Sequence, residues 1–203
     1  MLRRAGRRRL TERKVRAATR VGAAIVDLAQ ISSERYDETG ARQSIREDAM
    51  FVNQICTHGV VTCSPDTSAI EIARILRDRH VGDVVVVDDS DGRPRPVGLV
   101  TDRDLVVKVM ARNADPELFT AADLAAEAPE MALDCEFAFD AICRMRAKGV
   151  RRLPVVDSKG YLVGLLSADD VARFLAGELS DLARVAPRQV QREEATFAAL
   201  SAG

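Results

Sequence analysis

Residues 81–88 read VGDVVVVD, and residues 150–157 read VRRLPVVD. The two stretches lie 69 positions apart, and each carries a nearly continuous apolar run that ends in aspartate. Such a run is typical of a strand that is buried on both faces of its sheet. The chain is therefore expected to contain the same folding unit twice.

The repeat extends beyond these two strands. Upstream, Ser68 and Glu71 have the spacing of a helix capping box. Downstream, residues 97–101 (VGLVT) correspond to residues 163–167 (VGLLS) at an offset of 66, so the length difference falls in the turn between the strands. Each unit is predicted to have the order strand, helix, strand, strand, helix. In the first copy the predicted strands are 60–62, 84–87 and 97–100, and the closing helix is 101–110.

Charge is unevenly distributed along the 203 residues. The whole chain has 30 basic and 31 acidic side chains, but residues 1–20 carry nine basic residues and one acid, so this arm is +8 and the remainder is −9. A hydrophobic content of 47% supports a buried core and argues against wholesale disorder. No apolar stretch approaches the roughly 18 residues of a membrane span, and no secretory signal is present. We expect a cytoplasmic protein with no membrane partner.

Cysteine and histidine form no catalytic or metal-binding pattern in the sequence. The four cysteines contain no CxxC pair, and the two histidines belong to no recognisable triad. Cys56, His58 and Cys63 lie close together, but their spacing matches no common zinc site and no fourth ligand is evident. The sequence therefore predicts no enzyme, no catalytic residue and no metal site.

Two segments carry a family resemblance: residues 98–105 (GLVTDRDL) and residues 149–157 (GVRRLPVVD). With the repeated order of elements, they resemble a tandem pair of CBS domains, or Bateman module, over about residues 51–178. The resemblance implies an α/β (α+β) fold of two β-α-β-β-α units packed about a pseudo-twofold axis, with an N-terminal helical extension. It also implies clefts that bind AMP, ADP, ATP or S-adenosylmethionine as regulatory ligands, with no prosthetic group, and disc-like dimers.

The predicted division of the chain follows this resemblance. It comprises a basic arm and helix (1–50), CBS unit 1 (51–111), a linker (112–120), CBS unit 2 (121–178) and a C-terminal tail (179–203) that Pro187 interrupts. The arm and the tail are too short to be the enzyme or transporter that many such modules regulate. A stand-alone CBS-pair protein is therefore expected.

Thr101 with Asp104, and Ser167 with Asp170, are the predicted ligand-binding pairs. A hydroxyl residue followed three positions later by an acid is also the pattern of a capping box, and for one isolated copy that interpretation would be preferred. Its recurrence after a Gly-apolar-apolar strand favours ligand binding. The resemblance implies that the aspartate accepts hydrogen bonds from ribose and that the hydroxyl contacts ribose or phosphate, roles that suit a carboxylate acceptor.

An apolar slot for adenine is expected beside these pairs. Its predicted lining is Val61, Thr62, Val84 and Val85 in the first unit and Met131, Ala132, Leu153 and Pro154 in the second. Plain core packing is the alternative for each of these residues.

The two sites are expected to differ, because Arg151 and Arg152 take the place of Gly82 and Asp83. Arg152 is predicted to anchor phosphate through its planar donor fork. Asp83 would repel phosphate, so its side is expected to be empty, to hold a less charged ligand or to need Mg²⁺. A solvated basic pair is the alternative for Arg151 and Arg152.

Three classes of function follow from these features. The preferred one is a ligand-sensing module that signals through dimer or partner contacts. The alternative is a nucleic-acid-associated protein that uses the basic arm, and an enzyme is the least favoured. A homodimer is predicted because the apolar helix faces exceed what one sheet needs, and the regulated partner protein is left open. The helix residues concerned are Ile72, Ile75, Leu76, Leu105 and Val109, with the apolar side of residues 15–31 as an addition.

Overall fold

The structure, a computed structural model, describes residues 50–125 and 129–201. Most of the predicted basic arm therefore lies outside the described residues. The first unit contains α1 (Val52–Ile55), β1 (Thr62–Cys63), α2 (Ala69–Arg79), β2 (Asp83–Asp88), β3 (Arg95–Thr101) and α3 (Asp102–Asp104), which continues as a π-helical stretch (Leu105–Val109) and a 3₁₀ turn (Met110–Arg112). A second 3₁₀ turn (Pro116–Leu118) lies in the linker. The remaining elements are α4 (Ala121–Leu124), β4 (Ala132–Leu133), α5 (Ala138–Lys148), β5 (Arg152–Val156), β6 (Leu162–Ser167), α6 (Ala168–Ala183) and α7 (Val185–Ser201).

Each unit has a three-stranded mixed sheet with the same topology. In the first, β1 is parallel to β2 and β2 is antiparallel to β3; β4, β5 and β6 repeat this arrangement. The predicted strand-helix-strand-strand-helix order and the α+β class are confirmed. β1 begins later than predicted, although the carbonyl of Val61 still accepts a hydrogen bond from the N–H of Val85. Four consecutive valines of β2 are buried, as expected for a strand covered on both faces.

Equivalent residues of the two units make reciprocal contacts. Phe51 pairs with Phe137 and Ser68 pairs with Thr120 in isolated bridges. At the offset of 69, Phe51 corresponds to Thr120 and Ser68 corresponds to Phe137. Contacts that are exchanged in this way are the signature of a twofold relation. The two units are therefore related by a pseudo-twofold axis.

The short helices α1 and α4 each pack on the other unit. Val52 of α1 is fully buried in the core of the second unit, and its N–H donates to the carbonyl of Glu136. Ala121 and Leu124 of α4 are fully buried in the core of the first unit. Thus α1, which precedes the first repeat, completes the core of the second unit, and α4, which precedes the second repeat, completes the core of the first. The packing units and the sequence repeats consequently have different boundaries.

Two glycines make this exchange possible. A methyl group on Gly98 of β3 would lie 2.6 Å from Cβ of Ala125, just after α4. A methyl group on Gly164 of β6 would lie 2.7 Å from Sγ of Cys56, just after α1. The glycine of each VGL segment therefore allows the exchanged helix to approach the sheet closely.

The described part of the C-terminal tail is helical except at Arg184. α6 extends to Ala183, past the predicted end of the second unit, and the break before α7 falls at Arg184. The expected interruption at Pro187 is wrong, because this proline occupies the first turn of α7, where its missing N–H has no intrahelical partner to lose. Within the described chain, no helix has both the length and the apolarity that a membrane crossing requires.

The apolar residues from which dimerisation was predicted lie in the core instead. Ile72, Leu76 and Val109 are buried, and Ile75 and Leu105 pack against the same core while partly buried. These residues do not form the predicted free face, because the exchanged α4 adds a second surface that their side chains must cover. The homodimer itself stays a prediction. Other apolar side chains are exposed on the helices: Val106, Val107, Met110, Phe139, Leu175, Leu179 and Leu182.

Candidate functional site

The predicted ligand-binding pair of the first unit forms a complete capping box at the end of β3. Oδ2 of Asp104 accepts hydrogen bonds from the N–H of Thr101 at 2.9 Å and from its hydroxyl at 2.7 Å. The hydroxyl of Thr101 in turn accepts a hydrogen bond from the N–H of Asp104. The carboxylate is thereby fixed at the N-terminus of α3, where the helix dipole favours negative charge.

The second unit repeats this arrangement at the start of α6. Oδ2 of Asp170 accepts from the N–H of Ser167 at 3.0 Å and from its hydroxyl. Besides the predicted Ser68–Glu71 box, a third hydroxyl–aspartate box, which was not predicted, joins Thr120 and Asp123 at the start of α4. The third box does not follow a Gly-apolar-apolar strand. All three boxes cap their helices, and ligand binding stays a prediction for the two boxes that follow β3 and β6.

A cation holds the second oxygen of each predicted ligand-binding aspartate. Lys108 Nζ lies 2.7 Å from Oδ1 of Asp104 and also donates to the carbonyl of Leu124 at the end of α4. Arg173 Nη1 lies 2.9 Å from Oδ1 of Asp170. Both cations were missed, although a basic residue four or three positions after the acid is a recognisable helical pair.

These contacts keep both aspartates ionised. Burial opposes ionisation of Asp104, but hydrogen bonds from Lys108 and Thr101 outweigh it and lower its pKa. Burial is likewise outweighed at Asp170, where hydrogen bonds from Ser167 and from Arg173 lower the pKa. Each Oδ1 has one cationic partner, and a carboxylate oxygen has room for about two donors. Each aspartate can therefore accept one further hydrogen bond from a ligand.

Asp83 and Arg152 form an ion pair between the two units. Oδ2 of Asp83 lies 2.6 Å from Nε of Arg152. The side chains are 12% and 30% exposed, respectively, so the contact is largely shielded from water. Because these residues are equivalent in the two repeats, their mutual contact lies on the pseudo-twofold axis. The two residues were predicted to lie at separate sites, whereas the structure joins them.

The capped aspartates flank this ion pair. Asp83 is aligned with Thr101 across β2 and β3, and Arg152 is aligned with Ser167 across β5 and β6. Burial raises the pKa of Asp83, an effect that the neighbouring acids Asp102 and Asp170 increase and that Arg152 opposes. The N-termini of α3 and α6 therefore lie on either side of the same ion pair, in which Arg152 is the cation and Asp83 is the acid.

Arg151 has a different environment from Arg152. Its guanidinium lies 3.1 Å from Oδ1 of Asp169, and the two side chains are 74% and 63% exposed. This surface pair is worth little energetically. The solvated alternative therefore describes Arg151, while Arg152 is held in the interior contact.

The predicted adenine-slot residues divide into two groups. Val84, Val85, Ala132, Leu153 and Pro154 are buried, so core packing accounts for them. Val61 and Met131 are half-buried and Thr62 is exposed. The second group is the part of the predicted lining that a ligand can reach, and its contact with adenine remains a prediction.

Comparisons with known proteins agree with this architecture. The sequence profile of the CBS domain matches residues 52–111 and 136–177, together 102 of the 203 residues. An uncharacterized protein of Methanopyrus kandleri is 35% identical over 124 residues, which span 61% of this chain and 61% of that relative. Hypoxic response protein 1 of Mycobacterium tuberculosis is 31% identical over 122 residues, or 60% of this chain and 82% of that protein.

A solved structure shows the same fold. The CBS domain protein of Pyrobaculum aerophilum, complexed with AMP, is 27% identical and superimposes with a TM-score of 0.57. The match covers 65% of this chain and 99% of that one. The doubled sheet topology, the pseudo-twofold exchange of α1 and α4, and the matched profile lead to one conclusion: this chain belongs to the CBS-domain family and contains a tandem pair of CBS units.

Proposed function

We propose that this chain is a regulatory module that senses an adenosine-containing ligand in the clefts between its two CBS units. The observation that carries the proposal is the pair of ionised aspartates, Asp104 and Asp170, each fixed at a helix start beside the unit boundary and each with acceptor capacity left. The AMP complex of the Pyrobaculum aerophilum protein supports the same ligand class. The candidate ligands are AMP, ADP, ATP and S-adenosylmethionine.

The capped helix start suits a ribose. A vicinal diol donates hydrogen bonds, and an ionised carboxylate accepts stronger ones than a neutral group would. Thr101 and Ser167 already donate to Oδ2 of their aspartates, so the ligand is left the one remaining acceptor position on Oδ1, beside Lys108 or Arg173. The accessible Val61, Thr62 and Met131 supply the slot proposed for adenine.

The two clefts differ in how they would receive phosphate. Arg152 is the axial cation, and its guanidinium matches phosphate geometry. Asp83 disfavours phosphate by like charge unless Mg²⁺ bridges the two. We expect at most one strongly held phosphate group per chain, since both clefts share the same guanidinium.

A sensor must also transmit the bound state. Ligand binding alters an output only if it distinguishes two arrangements of the protein. Exposed apolar side chains of the closing helices, among them Met110, Leu175, Leu179 and Leu182, offer a surface for a second copy of the chain or for a regulated protein. We propose a homodimer as the signalling unit, regulatory rather than catalytic. Among the described residues, no group of His, Cys, Asp and Glu side chains is placed to hold a metal ion.

The basic arm supports the alternative function. Its charge of +8 over residues 1–20 would bind nucleic acid in a salt-dependent and sequence-independent manner. A salt titration of DNA binding, with the full chain and with residues 1–20 deleted, measures this activity. Salt-sensitive binding that the deletion abolishes would favour the alternative.

Calorimetric titration with adenosine, AMP, ATP and S-adenosylmethionine tests the sensing function. Asp104→Asn and Asp170→Asn each remove one proposed ribose acceptor, and we expect at least one of them to weaken binding about tenfold or more. Asp123→Asn is the matched control, because it alters the third capping box without a preceding Gly-apolar-apolar strand. Unchanged affinity in both test variants would contradict the assignment, and mass spectrometry of ligands released from the purified protein would identify the natural one.

A further inference from the structure

The ion pair on the pseudo-twofold axis has a role that the ribose sites do not explain. Arg152 could have faced solvent or an empty cleft, yet its Nε lies 2.6 Å from Oδ2 of Asp83. Both side chains are shielded from water to a degree that makes a charged hydrogen bond stronger than at the surface. The cation suited to phosphate is therefore already occupied by a carboxylate of the same chain.

The rest of the guanidinium lies in an acidic environment. A methyl group on Gly82 would lie 3.7 Å from Nη2 of Arg152 and 3.8 Å from Oδ2 of Asp102, so the guanidinium and the Asp102 carboxylate both lie near Gly82. Asp170 is close enough to Asp83 to raise its pKa. If Arg152 turned to another anion, Asp83 would be left among like charges in a partly buried position.

We propose that Asp83 competes with the phosphate of a ligand for Arg152, and so sets the preference of the clefts for nucleosides over nucleotides. This inference rests on the proposed adenosine-sensing function. A carboxylate and a phosphate use the same donor fork of arginine, so only one can hold Nε fully. A ligand phosphate can bind Arg152 only if the contact between Arg152 and Asp83 breaks. The phosphate therefore adds little to the affinity of the ligand. Ligands with no phosphate, or with a cationic group in its place, do not incur this cost.

Affinities for adenosine and AMP, measured by calorimetry on the full chain in EDTA, test the proposal. In the wild-type protein we expect the phosphate of AMP to add less than about threefold to the affinity of adenosine. Asp83→Asn keeps the shape of the side chain but removes its negative charge, so it holds Arg152 less strongly. AMP should then bind about tenfold more tightly, while adenosine changes less than about twofold. Asp83→Ser provides a second test if the asparagine variant folds poorly.

Asp102→Asn is the matched control for a general effect of charge. It removes one negative charge beside Arg152 but leaves the 2.6 Å contact with Asp83 in place. We expect less than about threefold improvement for AMP in this variant. An equal gain in Asp83→Asn and Asp102→Asn, or an unchanged AMP affinity in both Asp83 variants, would overturn the competition while adenosine binding still stood. If the wild-type protein binds neither adenosine nor AMP, the proposed function is overturned, and this inference with it.

Discussion

The two closing helices begin alike and then differ. α3 and α6 both start with a capped aspartate after a Gly-containing strand. α3 turns into a π-helical stretch after three residues, whereas α6 remains α-helical for 16 residues. The π-helical stretch contains Lys108, which reaches both Asp104 and the carbonyl of Leu124. The local sequence determines how each helix begins, whereas tertiary contacts determine how each helix continues.

The largest expected effect concerns the glycines that admit the exchanged helices. Gly98→Ala and Gly164→Ala should each lower the free energy of unfolding by about 1–3 kcal/mol, because the added methyl group overlaps a packed neighbour. Denaturant titration measures the loss. Wild-type stability in either variant would show that the exchanged helix moves without cost.

A second substitution sharpens the contrast between the two glycines. At Gly98 the closest neighbour is Cβ of Ala125 at 2.6 Å, and Cβ of Val86 follows at 3.3 Å. Adding Ala125→Gly removes the severest overlap and should restore most of the stability. At Gly164 the carbonyl of Thr57 lies 3.1 Å from the added methyl group, in addition to Sγ of Cys56. Adding Cys56→Ala should therefore rescue Gly164→Ala only in part. Equal recovery of stability in the two double variants would contradict the expected difference between the two glycine sites.

An intermediate effect is expected at the cations that hold the aspartates. Lys108 is 32% exposed and makes two contacts, whereas Arg173 is 76% exposed. Lys108→Met should lower the free energy of unfolding by about 1 kcal/mol, and Arg173→Met by less than about 0.5 kcal/mol. Thermal unfolding at low and high salt separates them, since the exposed pair is screened more strongly. Equal losses would show that the π-helical placement of Lys108 adds nothing.

The smallest effect is a difference in pH dependence. Asp104 has a lowered pKa in the folded state, so its stabilising contribution is present above the ordinary aspartate value of about 3.9 and is lost as the pH falls through the folded value. Asp83 has a raised pKa, so its contribution is full below about 3.9 and is lost as the pH rises through the folded value. From pH 3 to pH 7, Asp104→Asn should therefore lose stability relative to wild type, and Asp83→Asn should gain it. Unfolding free energies across this range measure both slopes, and slopes of the same sign would contradict the opposed environments.

The local part of the architecture was predictable from sequence. The repeated apolar strands, the Ser68 capping box and the two hydroxyl-acid pairs all depend on residues within a few positions of one another. Periodicity and capping report such short-range structure directly. The sequence could also assign opposite charges to the two equivalent positions on the axis.

Long-range placement was beyond the same reasoning. Nothing near Val52 or Leu124 indicates that each packs in the opposite core, so Ile72 and Val109 were mistaken for free surface. The offset of 69 made Asp83 and Arg152 equivalent, but equivalence alone does not place two residues in contact. Only residues beside the symmetry axis meet their own counterparts, and the position of the axis is a property of the packed pair.

The exchange of α1 and α4 couples the folding stability of the two units. Separation at the linker would leave each fragment with its own leading helix and without the one that fills its core. Neither half is then a self-sufficient folding unit, and the pair is expected to unfold in a single cooperative transition. Stabilisation of either half by a ligand is consequently felt throughout the pair. The two units together behave as one cooperative unit, in which each half stabilises the fold of the other.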